Sequence, residues 1–225
     1  MLKGEENRHT TGKRVYSEEL FVVDGTFALL LSISIAVWIQ TGWFSGLEQE
    51  LKWSRQGLVL GLLAATALLR VEVPIGEAVK IQGGMLLLLL FLIRLIKIKR
   101  VQLIHLFPAI FLAASILFFL RELYWWGPAF NENGFRILGV GAATGMALLT
   151  FRQLHLRLIV AAGGLWLAEW MSLILHRKEL NPAVFGMPST LDVFWFTWTA
   201  LLILHYVTRD MSARIRQLVK RPRGG

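Results

Sequence analysis

Cysteine is absent from the chain. That removes disulfides, thiol nucleophiles and thiolate metal sites at once, and leaves the redox compartment open. Charge is scarce as well: Asp, Glu, Lys and Arg make up 17% of the residues, against about 25% in an ordinary globular domain. A water-soluble helical bundle needs charged helix faces, and the apolar stretches here have none. Histidine is rare, with 5 in all, and His105, His155 and His205 stand singly near the ends of apolar runs. None falls in an H-E-x-x-H or comparable spacing, so no metal centre and no other cofactor is expected. No serine occupies a G-x-S-x-G elbow, and Ser115 and Ser172 read as hydroxyls packed between helices. Internal repeats are lacking too, and the pure leucine block Leu86 to Leu90 is the only low-complexity stretch.

What is present is apolar. Of 225 residues, 55% are hydrophobic, and they are gathered into blocks near the ~20 residues that cross a bilayer. The expected fold class is all-α: a polytopic transmembrane helical bundle of about seven spans, a length-based reading. The spans are expected near 20–38, 57–73, 81–98, 101–120, 137–151, 156–175 and 191–207. Residues 1–19 form a polar N-terminal tail of balanced charge, and the first apolar block reads as a retained span and not a cleaved leader, because no small-x-small site follows it. The spans near 57–73 and 137–151 are short, a length shared with buried or re-entrant helices. The longest connection, Arg121 to Arg136, carries the turn signals Gly127-Pro128 and Asn133-Gly134. Tyr124, Trp125 and Trp126 in that stretch, and Trp38, Trp43 and Trp53 around the first loop, suit the membrane–water interface.

The formal net charge is +9. The basic residues border the apolar blocks, which points to cytoplasmic loops and anionic lipid and away from nucleic acid. Two clusters dominate: Arg94, Lys97, Lys99 and Arg100 after the third span, and Arg209, Arg214, Arg216, Lys220, Arg221 and Arg223 after the last. With seven spans both lie on one side, which places the C-terminus in the cytoplasm and the N-terminus outside. In residues 208–225, Met211, Ile215, Leu218 and Val219 share one helical face among basic neighbours, the pattern of a helix lying on an anionic surface. Arg94, Lys97, Lys99, Arg100, Arg214, Arg216, Lys220 and Arg221 are the residues expected to contact anionic lipid.

Four residues form a candidate intramembrane polar site: Glu169, Asp24, His176 and His205. Glu169 lies well inside the sixth span, where a carboxylate costs several kcal/mol (about 2.5–3.5 on insertion scales) unless paired or hydrated. His176 follows on the same face, about 10 Å along the axis. Glu169 serves either a proton or cation path or a structural hydrogen bond to another helix, with Thr197 and His205 as candidate partners. Asp24 reads as an interfacial helix-start residue, and Arg70 and Glu72 as snorkelling from the end of the second span. Gly57 and Gly61, Gly141 and Gly145, and Gly163 and Gly164 form small-residue stripes that let helix backbones approach, within the chain or in a homodimer. The spans that bear them are expected to form the interior.

The layout resembles the YphA-like proteins, small membrane proteins of Gram-positive bacteria. The likeness rests on short spans, the absence of cysteine, the aromatic loop Leu123-Tyr124-Trp125-Trp126-Gly127-Pro128 and the basic tail. It implies no particular activity and assigns no functional residue. With no chemistry-bearing motif, the expected role is that of a non-enzymatic scaffold or accessory subunit, with the bilayer and a membrane-protein partner or second copy as its contacts. A small transporter or channel subunit using Glu169 is the alternative. A lipid-acting enzyme would need paired carboxylates or histidines at one interface, and the third loop lacks them.

Overall fold

A computed structural model describes residues 25–69, 71–75, 79–99, 103–126, 132–176 and 183–220. Their elements are, in order, α1 (Thr26–Gln40), α2 (Leu47–Leu51), α3 (Arg55–Leu68), β1 (Glu72–Ile75), β2 (Val79–Gln82), α4 (Gly83–Lys99), α5 (Leu103–Trp126), α6 (Glu132–Thr150), α7 (Leu154–His176), β3 (Ala183–Phe185) and α8 (Pro188–Lys220). Helices dominate. Three segments are long and apolar enough to cross a membrane: Ile104–Leu123, Leu154–His176 and Pro188–Ser212. Thr26–Gln40 and Arg55–Leu68 are shorter apolar helices.

Three short strands depart from the expected all-α fold. β1 pairs antiparallel with β2, and β2 pairs parallel with β3. The reason lies in the residues. Val71, Val73, Ile75, Val79 and Ile81 are β-branched at alternate positions, a period that suits a pleated strand. Pro74 also lacks a backbone donor, and it sits on the edge strand β1, where none is needed. The segment expected as a span over 57–73 therefore leaves the helical path at Leu68. Gln82 ties the hairpin to that helix end, donating from Nε2 to the Leu69 carbonyl at 2.6 Å. Glu72 does not reach back into the bundle but pairs with Lys80 across the hairpin at 2.8 Å.

α7 is the centre of the bundle. It packs against α4, α5, α6 and α8, and the consecutive residues Leu158, Ile159, Val160 and Ala161 are all buried. Successive helical residues point about 100° apart, so four in a row enclosed means contact on every side. α5 and α7 lie side by side so closely that a Cβ on Gly164 would stand 2.8 Å from the Ala113 Cβ, and one on Gly163 3.2 Å from Ile110 Cγ2. The other glycine stripes differ from expectation. A Cβ on Gly141 or Gly145 would meet nothing within 4 Å, so that stripe of α6 faces outward. Gly57 makes room for the indole of Trp53, whose Nε1 would lie 2.4 Å from an added Cβ. The helix enclosed on every side is thus α7, while α6 packs against it with a face other than the Gly141 and Gly145 stripe. α1 joins α3 through a hydrogen bond between the Ser32 and Thr66 hydroxyls at 2.6 Å.

The bundle has two ends. The strands, the start of α1, the last turns of α5 and α7 and the start of α8 share one, here the strand end. α2 and the middle of α8 meet at the other, the tail end, where Glu50 receives His205 Nε2 and Arg209 Nη1, each at 3.2 Å. The segment expected as a separate surface-lying tail continues α8 as one helix to Lys220.

Candidate functional site: a buried polar network at the strand end

Glu169 sits on α7, seven residues before that helix ends, and its side chain is 3% exposed. Three donors converge on it. Arg121 Nη1, from the last turns of α5, pairs with Oε1. The Thr190 hydroxyl, in the first turn of α8, donates to the same oxygen at 2.5 Å. The backbone N–H of Gly186, between β3 and α8, donates to Oε2 at 3.1 Å. Gly186 has φ +87°, and a Cβ there would fall 2.1 Å from Met85 Cγ. Only glycine therefore fits the close approach that aims this N–H at the carboxylate. Neither candidate partner for Glu169 takes part. Thr197 lies about 10 Å further along α8 than Thr190, and His205 about 22 Å further, at the opposite end.

A second buried acid stands beside the first. Asp192 on α8 is fully buried. Its Oδ1 accepts the N–H of Ala28 at 2.8 Å and its Oδ2 that of Gly25 at 3.4 Å. These are orphan donors at the start of α1, whose own N-cap, Gly25, has no side chain. Asp192 thus caps α1 from another helix and places negative charge at the positive end of its dipole. Arg136 of α6 brings Nη2 to 3.4 Å from Asp192 Oδ2. A third contact joins α5 to α7: His176 Nε2 lies 3.0 and 3.1 Å from the two carboxylate oxygens of Glu122, an arrangement satisfied when that nitrogen carries the proton.

Together these contacts tie α1, α5, α6, α7 and α8 at one end, and a screen of Trp166, Trp170 and Phe185, with ring centroids 5.2–5.7 Å apart, lies in the same region. Glu169 and Asp192 each face an arginine and additional N–H or O–H donors. This is the condition under which buried charge is tolerated where water is scarce. Chemically, these contacts hold the helices to one another.

Of the four polar residues singled out in the sequence, Glu169 and His176 belong to this network, with separate partners. His205 belongs to the tail end, and Asp24 lies outside the described residues. Arg121, Glu122, Arg136, Thr190 and Asp192 were not anticipated as site residues. Arg121 and Arg136 bound the stretch read as a loop, yet both lie within helices. The signal that would have found them is complementary charge: Arg121-Glu122 on one helix and Glu169 with His176 on another, each near a C-terminal end. Among the residues expected at anionic lipid, Arg94 stacks over Trp53 with its guanidinium carbon 4.5 Å from the ring centroid, and Lys97 is exposed. The side chains of Lys99, Arg214, Arg216 and Lys220, together with Arg100, Arg221, Arg223 and Arg70, lie outside the described residues.

A family model described as YphA-like integral membrane protein matches residues 26–225. Nothing among the curated proteins or the solved structures matches the chain.

Proposed function

We propose a non-enzymatic role for this chain, which belongs to the YphA-like integral membrane protein family: it serves as a scaffold or accessory subunit in a membrane or envelope process. The observation that supports this most is the closure of Glu169. Its two oxygens are taken up by Arg121, Thr190 and the Gly186 N–H, all from within the bundle. A carboxylate that couples transport has to exchange partners with a passing proton or cation. Here the positive partner is a fixed arginine, itself 8% exposed, and favours bracing over carriage.

The proposed arrangement is seven spans, α1 and α3 to α8, with the strand end outside and the tail end in the cytoplasm. Arg121 and Arg136 at the strand end are drawn into buried pairs, whereas Arg94, Lys97 and Arg209 at the tail end are exposed. That distribution follows the positive-inside bias. α1 and α3 measure about 22 and 21 Å, short of the ~30 Å hydrocarbon layer, and local bilayer thinning accommodates such helices at modest cost.

The purified protein in liposomes under an imposed pH gradient and membrane potential tests the reading. We expect no proton or cation flux above protein-free vesicles. A flux that Glu169→Gln abolishes would overturn the proposal in favour of transport.

A further inference from the structure

Between α3, α4 and α8 lies an apolar cavity of about 310 Å³, within the range of small-molecule sites. Its walls are hydrophobic throughout, and Arg94 is the one charged residue among them. The cavity is a lengthwise slot. On α4 its lining runs from Gly84 to Arg94 and on α8 from Leu191 to Leu202, which at 1.5 Å per residue is about 15–17 Å. Its far end lies in the first turns of α4 and α8, so the slot runs along most of the length of the short α3, about 21 Å. At the strand end Leu69, Gly84 and Leu191 close it, and at the tail end it reaches Leu51, Trp53 and Arg94. Gly61 and Leu90, on facing stretches of α3 and α4, line the slot and are also exposed, Leu90 by 60%. The slot therefore opens sideways, toward lipid.

We infer that this slot holds one acyl chain of an anionic phospholipid from the tail-end leaflet, with the headgroup phosphate at Arg94. The proposal is independent of the scaffold role. An apolar cavity of this kind excludes water, and leaving it empty forfeits the dispersion contacts of its walls. What surrounds its opening is hydrocarbon. The charge at its end selects the headgroup. Arg94 stacks on Trp53, which in turn stacks on Phe91 at 5.3 Å, and Phe91 meets Trp198 at 4.6 Å. The guanidinium is thus held at the rim against the indole, and a guanidinium's planar N–H fork matches phosphate oxygens better than a lysine ammonium does. Among the described residues no carboxylate neutralises it, and exposed Lys97 lies one turn on. The tail end is also where anionic lipid gathers under the proposed orientation.

The test uses the full-length protein in mild detergent with an equimolar mixture of phosphatidylglycerol and phosphatidylcholine, read by native mass spectrometry. One phosphatidylglycerol per chain is expected to stay bound, in preference to phosphatidylcholine. Gly61→Leu is expected to remove that bound lipid by blocking the portal, where an added Cβ meets only Trp53 Cζ2, at 4.0 Å. Arg94→Gln is expected to keep one lipid but lose the anionic preference by about tenfold. Equal retention by the wild type and a folded Gly61→Leu, or a preference unchanged in Arg94→Gln, overturns the inference. Should Gly61→Leu fail to fold, the Arg94→Gln preference decides alone.

Discussion

Arg121 and Glu169 meet on two helices that run side by side, and each is buried to about a tenth exposure or less. Removing one member of such a pair leaves a charge without its counter-charge in a dry setting, at a cost of about 3–5 kcal/mol, while replacing both with apolar residues is often close to neutral. Arg121→Met is therefore expected to lower the thermal unfolding temperature in detergent strongly, and the double variant Arg121→Met/Glu169→Leu to recover most of the loss. Equal destabilisation by the single and double variants would show that the pair does not act as a unit. Glu169 was legible in the sequence because an acid inside an apolar span stands out against its neighbours. Its partners were not. Arg121 opens the stretch read as the longest connection, Thr190 is an unremarkable hydroxyl, and the Gly186 donor is backbone, which no residue type advertises.

α1 depends on another element for its start. Gly25 at the N-cap has no side chain to satisfy the first amides, so Asp192 of α8 does so. Loss of an N-cap acceptor costs about 0.5–2 kcal/mol. Asp192→Ala should accordingly raise hydrogen exchange in the first two turns of α1, residues 25–32, by about tenfold, as read by mass spectrometry, with smaller change in the middle of α7. Asp192→Asn keeps an acceptor for the Ala28 amide and should lie between. Exchange in α1 unchanged by Asp192→Ala would remove the cap from the account. The existence of most helices was legible from apolar runs, three of which are long enough to cross a bilayer. Their ends were less so. Residues 69–75 continue the apolar composition of α3, but the alternation of Val71, Val73 and Ile75 around Pro74 follows a strand period. Hydropathy alone does not separate the two, whereas periodicity does.

For the whole molecule, the proposed orientation places Lys80 of β2 and Gln153, between α6 and α7, on opposite sides of the membrane. The natural absence of cysteine allows a direct measurement. In intact cells a membrane-impermeant maleimide is expected to label Lys80→Cys, and Gln153→Cys only after permeabilisation. Labelling of both from one side would rule out seven spans, and the reverse pattern would invert the orientation.

Membrane residence followed from the sequence alone, because long apolar blocks without a polar face have only lipid as a suitable solvent. So did the concentration of basic charge in residues 94–100 and 209–223. Which helix lies at the centre was a matter for the tertiary structure. Glycine stripes occur on α3, α6 and α7 alike, yet only on α7 do Gly163 and Gly164 meet a facing helix. A stripe permits close approach without naming a partner. The pairing of Glu169 with Arg121 and of Asp192 with Arg136 and the start of α1 was likewise decided by packing, since contacts between residues 48 to 167 positions apart depend on which helices become neighbours. The slot beside Arg94 arises between α3, α4 and α8, with α1, α2 and α7 adding to its walls, a property of the assembled bundle that no single segment contains.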